Sequence, residues 1–362
     1  MAVGRSATSG IPLVRLGLAA AVAAGVAIWA WHTPARAAPP ASPGVQAPAP
    51  LRVAVPVAAI NFLPIFVGQA RGYFLEEGIQ LDIVQMNPPL SVPALLNDEV
   101  QLNGASSVVL RAAVQGAPLR ILLFDLERYS SFLVARPEIQ AIADLRGRRV
   151  GAGAPGTASD TAARLALRTA GLEVPRDVEL VPLPEGGPAL FAALEQDQVQ
   201  AVVLPAGDNV RARHQGYREL LYLGELLEAP YSGWGVTTAK LQSDRPLLQR
   251  WVRAQLRSLI ATRDDPAGAA EVAAGQFNLA PDDALAATQA QVRAISRTRP
   301  GYATPEALAR LLTFDILPPL GLTESPVPID QLVDFSLLEE ARAELGSGSG
   351  RLGQDPAVAE RR

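Results

Sequence analysis

Four short runs place an amide, hydroxyls or a carboxylate where an apolar strand pattern gives way to a helical one. They are Asn61-Phe62; Gly104-Ala105-Ser106-Ser107; residues 154–160, with Gly156, Thr157 and Ser159; and residues 205–209, with Asp208. A helix start carries unpaired N–H groups and the positive end of the helix dipole, so polar side chains there can help hold an anion or a polar acceptor. In open α/β sheets ligands sit at this place, beyond the carboxyl ends of the strands. Serine and threonine also cap their own helices at such positions, and capping is compatible with binding.

Other chemistries find less support. Gly151, Gly153 and Gly156 match a G-x-G-x-x-G phosphate loop, but a dinucleotide site needs an acid at the end of the next strand, and that strand runs into Leu183-Pro184. Beyond the N-terminal segment the one histidine is His214, just after Arg211 and Arg213 at an expected helix end, with no serine elbow or Glu-x-x-His beside it. Asp125 with Glu127, and Asp264 with Asp265, read as turn and surface charges. There is no cysteine, which excludes a thiol nucleophile, zinc–thiolate sites and disulfides. No enzyme, metal or cofactor is expected.

Aromatic residues stand near two expected crossings of the chain: Tyr129 and Phe132 at the first, Tyr231 and Trp234 at the second. Such rings either pack the hinge or stack on a flat ligand. For an anion, Arg111, Arg128 and Arg211 are the nearest cations by position, although N–H groups and hydroxyls alone can suffice.

These residues need a scaffold of alternating elements. Strands are expected at 51–55, 81–84, 119–124, 131–135, 149–152, 179–182 and 201–204, with helical patterns between many of them, which implies parallel α/β sheets. The run from Ala94 to Gln101 (ALLNDEVQ) is echoed from Ala193 to Gln200 (ALEQDQVQ), each copy closing a helix and entering a strand, so two similarly built lobes are expected. One would comprise residues 51–136 plus 225–345, the other 137–224. The later part is helical: Leu248, Val252, Leu256 and Leu259 share a face, and residues 301–314 form a further helix with Thr304 as cap and Pro305 in its first turn.

The segment from Ile60 to Val84, with Pro64, Val67, Gly72-Tyr73-Phe74 and Glu77-Gly78, resembles the opening of ABC-importer substrate-binding proteins of the nitrate/sulfonate/taurine and thiamine-precursor type. Asp144-Leu145-Arg146-Gly147 through Val150-Gly151 is similar to a second motif of that family. The resemblance implies a two-lobed periplasmic-binding-protein fold of type II, with the ligand in a cleft between lobes. It also implies Asn61, Ser106, Ser107, Gly156, Thr157 and Ser159 as contacts; Phe62, Asp208 and Trp234 join them by position. The family's G-x-V-D turn is Asp98-Glu99-Val100-Gln101 and Asp197-Gln198-Val199-Gln200 here, a change shared by both copies. Gly68 stands where the family usually has alanine.

Residues 1–37 have the form of an export signal: Arg5 and Arg15, an apolar run from Leu16 to Trp31, and Ala35-Arg36-Ala37 as a small-x-small cleavage site. An uncleaved anchor is the alternative, though the run is shorter than the ~20 residues that span a bilayer. Residues 38–50 form a Pro/Ala linker, and 346–362 a Gly/Ser tail expected to be disordered. Cleavage removes three arginines and no acid, taking the net charge from −4 to −7, which argues against nucleic acid as a partner. The expectation is a monomeric periplasmic protein that carries a small sulfonate, a nitrate-like anion or an aromatic solute to an ABC permease. A sensory or partner-binding module on the same fold is the alternative.

Overall fold

The computed structural model describes residues 47–347 apart from Val57, Gly156, Glu185 and Gly186. The expected signal, most of the linker and the tail beyond residue 347 lie outside the described residues. Order reaches further at both ends than composition led us to expect. The first strand begins at Ala49, inside the linker segment, and the helix Ser336–Ser347 takes in the start of the Gly/Ser run.

The described residues form ten strands: β1 (Ala49–Val55), β2 (Ile79–Gln85), β3 (Leu102–Asn103), β4 (Leu119–Leu126), β5 (Ser131–Ala135), β6 (Arg149–Ala152), β7 (Glu179–Pro182), β8 (Ala201–Pro205), β9 (Arg218–Tyr222) and β10 (Tyr231–Thr237). They build two sheets of the same plan, ordered β2-β1-β3-β10-β4 and β7-β6-β8-β5-β9. In each, the first three strands are parallel and the fourth is antiparallel to its neighbours. The inner strands are apolar runs because helices cover both faces: β5 and the first four residues of β8 are buried throughout.

The fourth strand of each sheet arrives from the other one. β5 follows β4 across, and β10 follows β9 back. All five residues of β5 pair with β8, so the first crossing is at residues 127–130, ahead of the lobe boundary expected at 136. The return crossing occupies residues 223–230. The two crossings touch: the Tyr129 N–H donates to the Leu227 carbonyl (3.3 Å), and the Tyr129 and Tyr231 rings meet edge to face at 5.0 Å.

The sequence echo is structural in detail. Asp98 and Asp197 adopt left-handed φ values of 58° and 56°, which aspartate tolerates better than most residues. Gln101 Oε1 accepts from the Arg52 N–H (2.9 Å), and Gln200 Oε1 accepts from the Arg149 N–H (3.1 Å). The change from the family turn therefore replaces one stable turn by another, where chains enter β3 and β8, at the strand ends away from the junctions.

After β10 the chain is helical. Leu248, Trp251, Val252, Leu256 and Leu259 of Arg245–Asp264 are all buried, as their spacing requires. Pro266–Phe277 packs on Leu63–Ala70, and Pro281–Val292 reaches Asp208–His214, so this pair of helices touches both sheets' surroundings. The helix expected at 301–314 is shorter. Thr304 caps Pro305–Leu311, accepting from the Ala307 N–H (3.2 Å), while Gly301 bridges to Phe124 and Leu312–Ile316 forms a π turn.

Candidate functional site

Three strand-to-helix junctions and the two crossings converge. At the first junction Asn61, half-buried, donates from Nδ2 to Ser232 Oγ (2.9 Å), just where β10 leaves the return crossing. At the second, Ala105 bridges Gly233 beside it, and the helix Ser106–Val114 begins. Asn103, wholly buried at the end of β3, accepts from the Ala105 N–H (2.9 Å) and leaves its own amide nitrogen without a partner among the described residues. The fourth junction lies against the first: Ala206 and Val210 share an apolar cluster with Ile60, and the Ala206 N–H donates to the Ser130 carbonyl of the first crossing (3.1 Å).

Junctions two and three meet at a residue that sequence reasoning missed. The carboxylate of Asp315, in the π turn Leu312–Ile316, accepts from Ser107 Oγ at Oδ2 and from Arg111 Nη2 at Oδ1 (3.0 Å). Its Oδ1 also accepts from the Ala158 N–H (3.1 Å), at the start of the helix Ala158–Thr169 in the second lobe. Thr161 Oγ1 of that helix donates to the Phe314 carbonyl (3.0 Å), and Arg111 donates to the Asp315 carbonyl (3.0 Å). One carboxylate thus receives a hydroxyl and a guanidinium from one lobe and a helix-start N–H from the other. The nearest sequence signal was an acid within the apolar run Leu311-Leu312-Thr313-Phe314-Asp315-Ile316-Leu317, which gives no partner.

Next to Asp315 is a cavity of about 10 Å³, lined among others by Tyr129, Ala158, Leu227, Tyr231 and Phe314. That is room for about one water. Asn61, Ser107, Thr157, Asp208, Tyr231 and Phe314 keep part of their surface exposed.

The remaining expected residues separate into two groups. Thr157 caps its helix, accepting from the Asp160 N–H (3.4 Å), and Ser159, buried, accepts from the Gly153 N–H (3.0 Å). Ser106 is buried at its helix start. Asp208 opens Asp208–His214, where burial pushes its carboxyl up and Arg211 opposes the shift. Gly156 lies outside the described residues. Trp234 and Phe62 face inward: Trp234 is wholly buried, packs against Phe62 and Trp251, and donates from Nε1 to Asp125 Oδ2 (2.9 Å). No ring face of Trp234 is left to stack on a solute in this arrangement. Of the expected cations, Arg111 pairs with Asp315, Arg128 pairs with Glu127 and Glu228, and Arg211 lies over Phe191. The glycine motif has a packing reason, since a Cβ on Gly151 would come within 2.8 Å of Leu183.

Two mixed five-stranded sheets joined by two crossings and flanked by helices define the two-lobed fold class of the type II periplasmic binding proteins. The chain belongs to the NMT1/THI5-like family, whose model matches residues 59–269. It is similar to the riboflavin-binding protein RibY of Chloroflexus aurantiacus, at 26% identity over 75% of this chain and 81% of that one. Among solved structures, its fold is like the periplasmic aliphatic sulphonate-binding protein SsuA of Escherichia coli, with TM-score 0.63, 18% identity and coverage of 78% and 97%. It is also like the desulfurization enzyme DszB, with TM-score 0.61, 21% identity and coverage of 82% and 99%.

Proposed function

We propose that this chain is the solute-binding component of an ABC importer, closing its two lobes over one small organic or inorganic solute. The observation that carries this reading is the meeting of helix starts from both lobes on one point, where closure can turn binding into a change of shape. The export-signal pattern supports a periplasmic location, from which the chain would deliver to an inner-membrane permease. Relatives named for riboflavin and for sulfonates bracket the cargo: a heteroaromatic ring or an oxyanion.

A binding role is favoured over catalysis. The sequence has no cysteine, and His214 is half spent on an ion pair with Asp283 at an exposed helix end. The test is thermal unfolding against a panel of flavins, pyrimidines, aromatic acids, sulfonates and nitrate. A true cargo at 100 times its Kd stabilises by about 2.7 kcal/mol. A folded protein that responds to no member of a broad panel would count against the reading.

A further inference from the structure

We propose that Asp315 is the resident anion of this cleft and the residue that sets its specificity, so that the cargo is an uncharged, hydrogen-bonding ring compound and not a sulfonate, nitrate or carboxylate. This rests on the solute-binding reading above. The donors on Asp315 are the set that an incoming oxyanion would need: the Ser107 hydroxyl, the Arg111 guanidinium and the Ala158 N–H at a helix start. The hydroxyl, the Arg111 Nη2 and the N–H are spent on an internal carboxylate that is 5% exposed, while Arg111 Nε is buried without a partner among the described residues. A second oxyanion would find those donors taken and would sit against a like charge, which disfavours it in a partly buried site.

The segment is anchored on both sides. Its Phe314 and Asp315 carbonyls accept from Thr161 in one lobe and Arg111 in the other (3.0 Å each). π turns are frequent at functional sites, and here Leu312–Ile316, directly after Pro305–Leu311, carries Asp315. The cavity beside it has room for about one water, and were it widened its Tyr129, Tyr231, Phe314 and Leu227 side chains would offer faces and edges that suit a flat ring better than a compact anion. The half-buried Asn61 donates to Ser232, which follows the cavity residue Tyr231 at the start of β10.

The experiment follows thermal unfolding of the full chain in sodium chloride, nitrate, acetate and methanesulfonate at equal ionic strength. It compares wild type with Asp315→Ala and Asp315→Asn. Wild type is expected to show no saturable response to any of the four salts. Asp315→Ala is expected to unfold at lower temperature in chloride and to recover saturably in acetate or methanesulfonate, as the small anion takes the freed donors. Asp315→Asn, which keeps the shape and removes the like charge, is expected to respond saturably to nitrate, at least about tenfold more tightly than the limit that the wild type sets, equivalent to about 1.4 kcal/mol. Saturable binding of nitrate or methanesulfonate to wild type overturns the proposal. So does the absence of any anion response in both variants; if Asp315→Ala does not fold, the nitrate response of Asp315→Asn decides alone. These readouts need no cargo, so they stand or fall separately from the solute panel.

Discussion

Replacing Asp125 by asparagine removes a carboxylate that the fold holds at some cost. Asp125 is 1% exposed at the end of β4, and burial pushes its pKa from an ordinary 3.8 up to about 7, against the opposing hydrogen bonds from Gln255 and Trp234. A carboxyl whose folded pKa is raised favours the native state fully below its unfolded pKa, and that advantage is lost as pH rises through the folded value. Between pH 4 and 7 the native state holds a proton that the unfolded state has released, so stability falls by about 1.4 kcal/mol per pH unit, about 4 kcal/mol across the window. Asp177, held down at about 2 by Arg176 and the Glu173 N–H, acts in the opposite sense and only below pH 4. Asparagine has nearly the same shape. Gln255 Oε1, buried without a partner, can accept from the new amide once the Gln255 amide is turned over. Urea unfolding at several pH values from 4.5 to 7.5 should show wild type losing stability relative to Asp125→Asn as pH rises. Parallel curves for the two proteins would refute the assigned burial and the linkage drawn from it.

Three further outcomes follow from the packing. Gly68→Ala puts a Cβ 1.9 Å from Ser258 Oγ, where the helices Leu63–Ala70 and Arg245–Asp264 touch; the overpacking should cost about 1–3 kcal/mol in urea unfolding, and adding Ser258→Ala should return part of it. Trp234→Phe removes the Nε1 donor to Asp125 and should cost about 1.5–3 kcal/mol; solute affinity by calorimetry should hardly change, whereas a large loss would restore this ring to the binding site. Gln200→Ala deletes the acceptor for the Arg149 N–H and should cost about 0.5–1.5 kcal/mol with no effect on solute affinity.

Local signals carried much of the fold. β5, β6 and β7 were readable to the residue because Ser131–Ala135, Arg149–Ala152 and Glu179–Pro182 are bounded by turn residues and cannot continue as strands. Thr304-Pro305 identified a capped helix for a similar reason. β3 escaped notice because two residues hold no period, and β9 because Arg218–Tyr222 mixes charge with apolar residues at a sheet edge. The crossing was misplaced for a tertiary reason: nothing within Ser131–Ala135 says which sheet it joins. The helix starts themselves were legible from residue types such as Ser106 and Thr157. Trp234 was misread because an indole can stack on a ligand or fill a core, and only Asp125 and Trp251, distant in the chain, decide for the core. Asp315 was invisible because its donors Ser107 and Arg111 stand more than 200 residues away, beyond the reach of any spacing argument.

In the proposed function one small solute lodges between the lobes. Native mass spectrometry of protein purified without denaturation measures that directly. The predicted spectrum shows a single added small molecule per chain, retained through buffer exchange and lost on unfolding, or one added on incubation with the matching panel compound. A bare polypeptide mass under every condition, from protein shown to be folded, would contradict it.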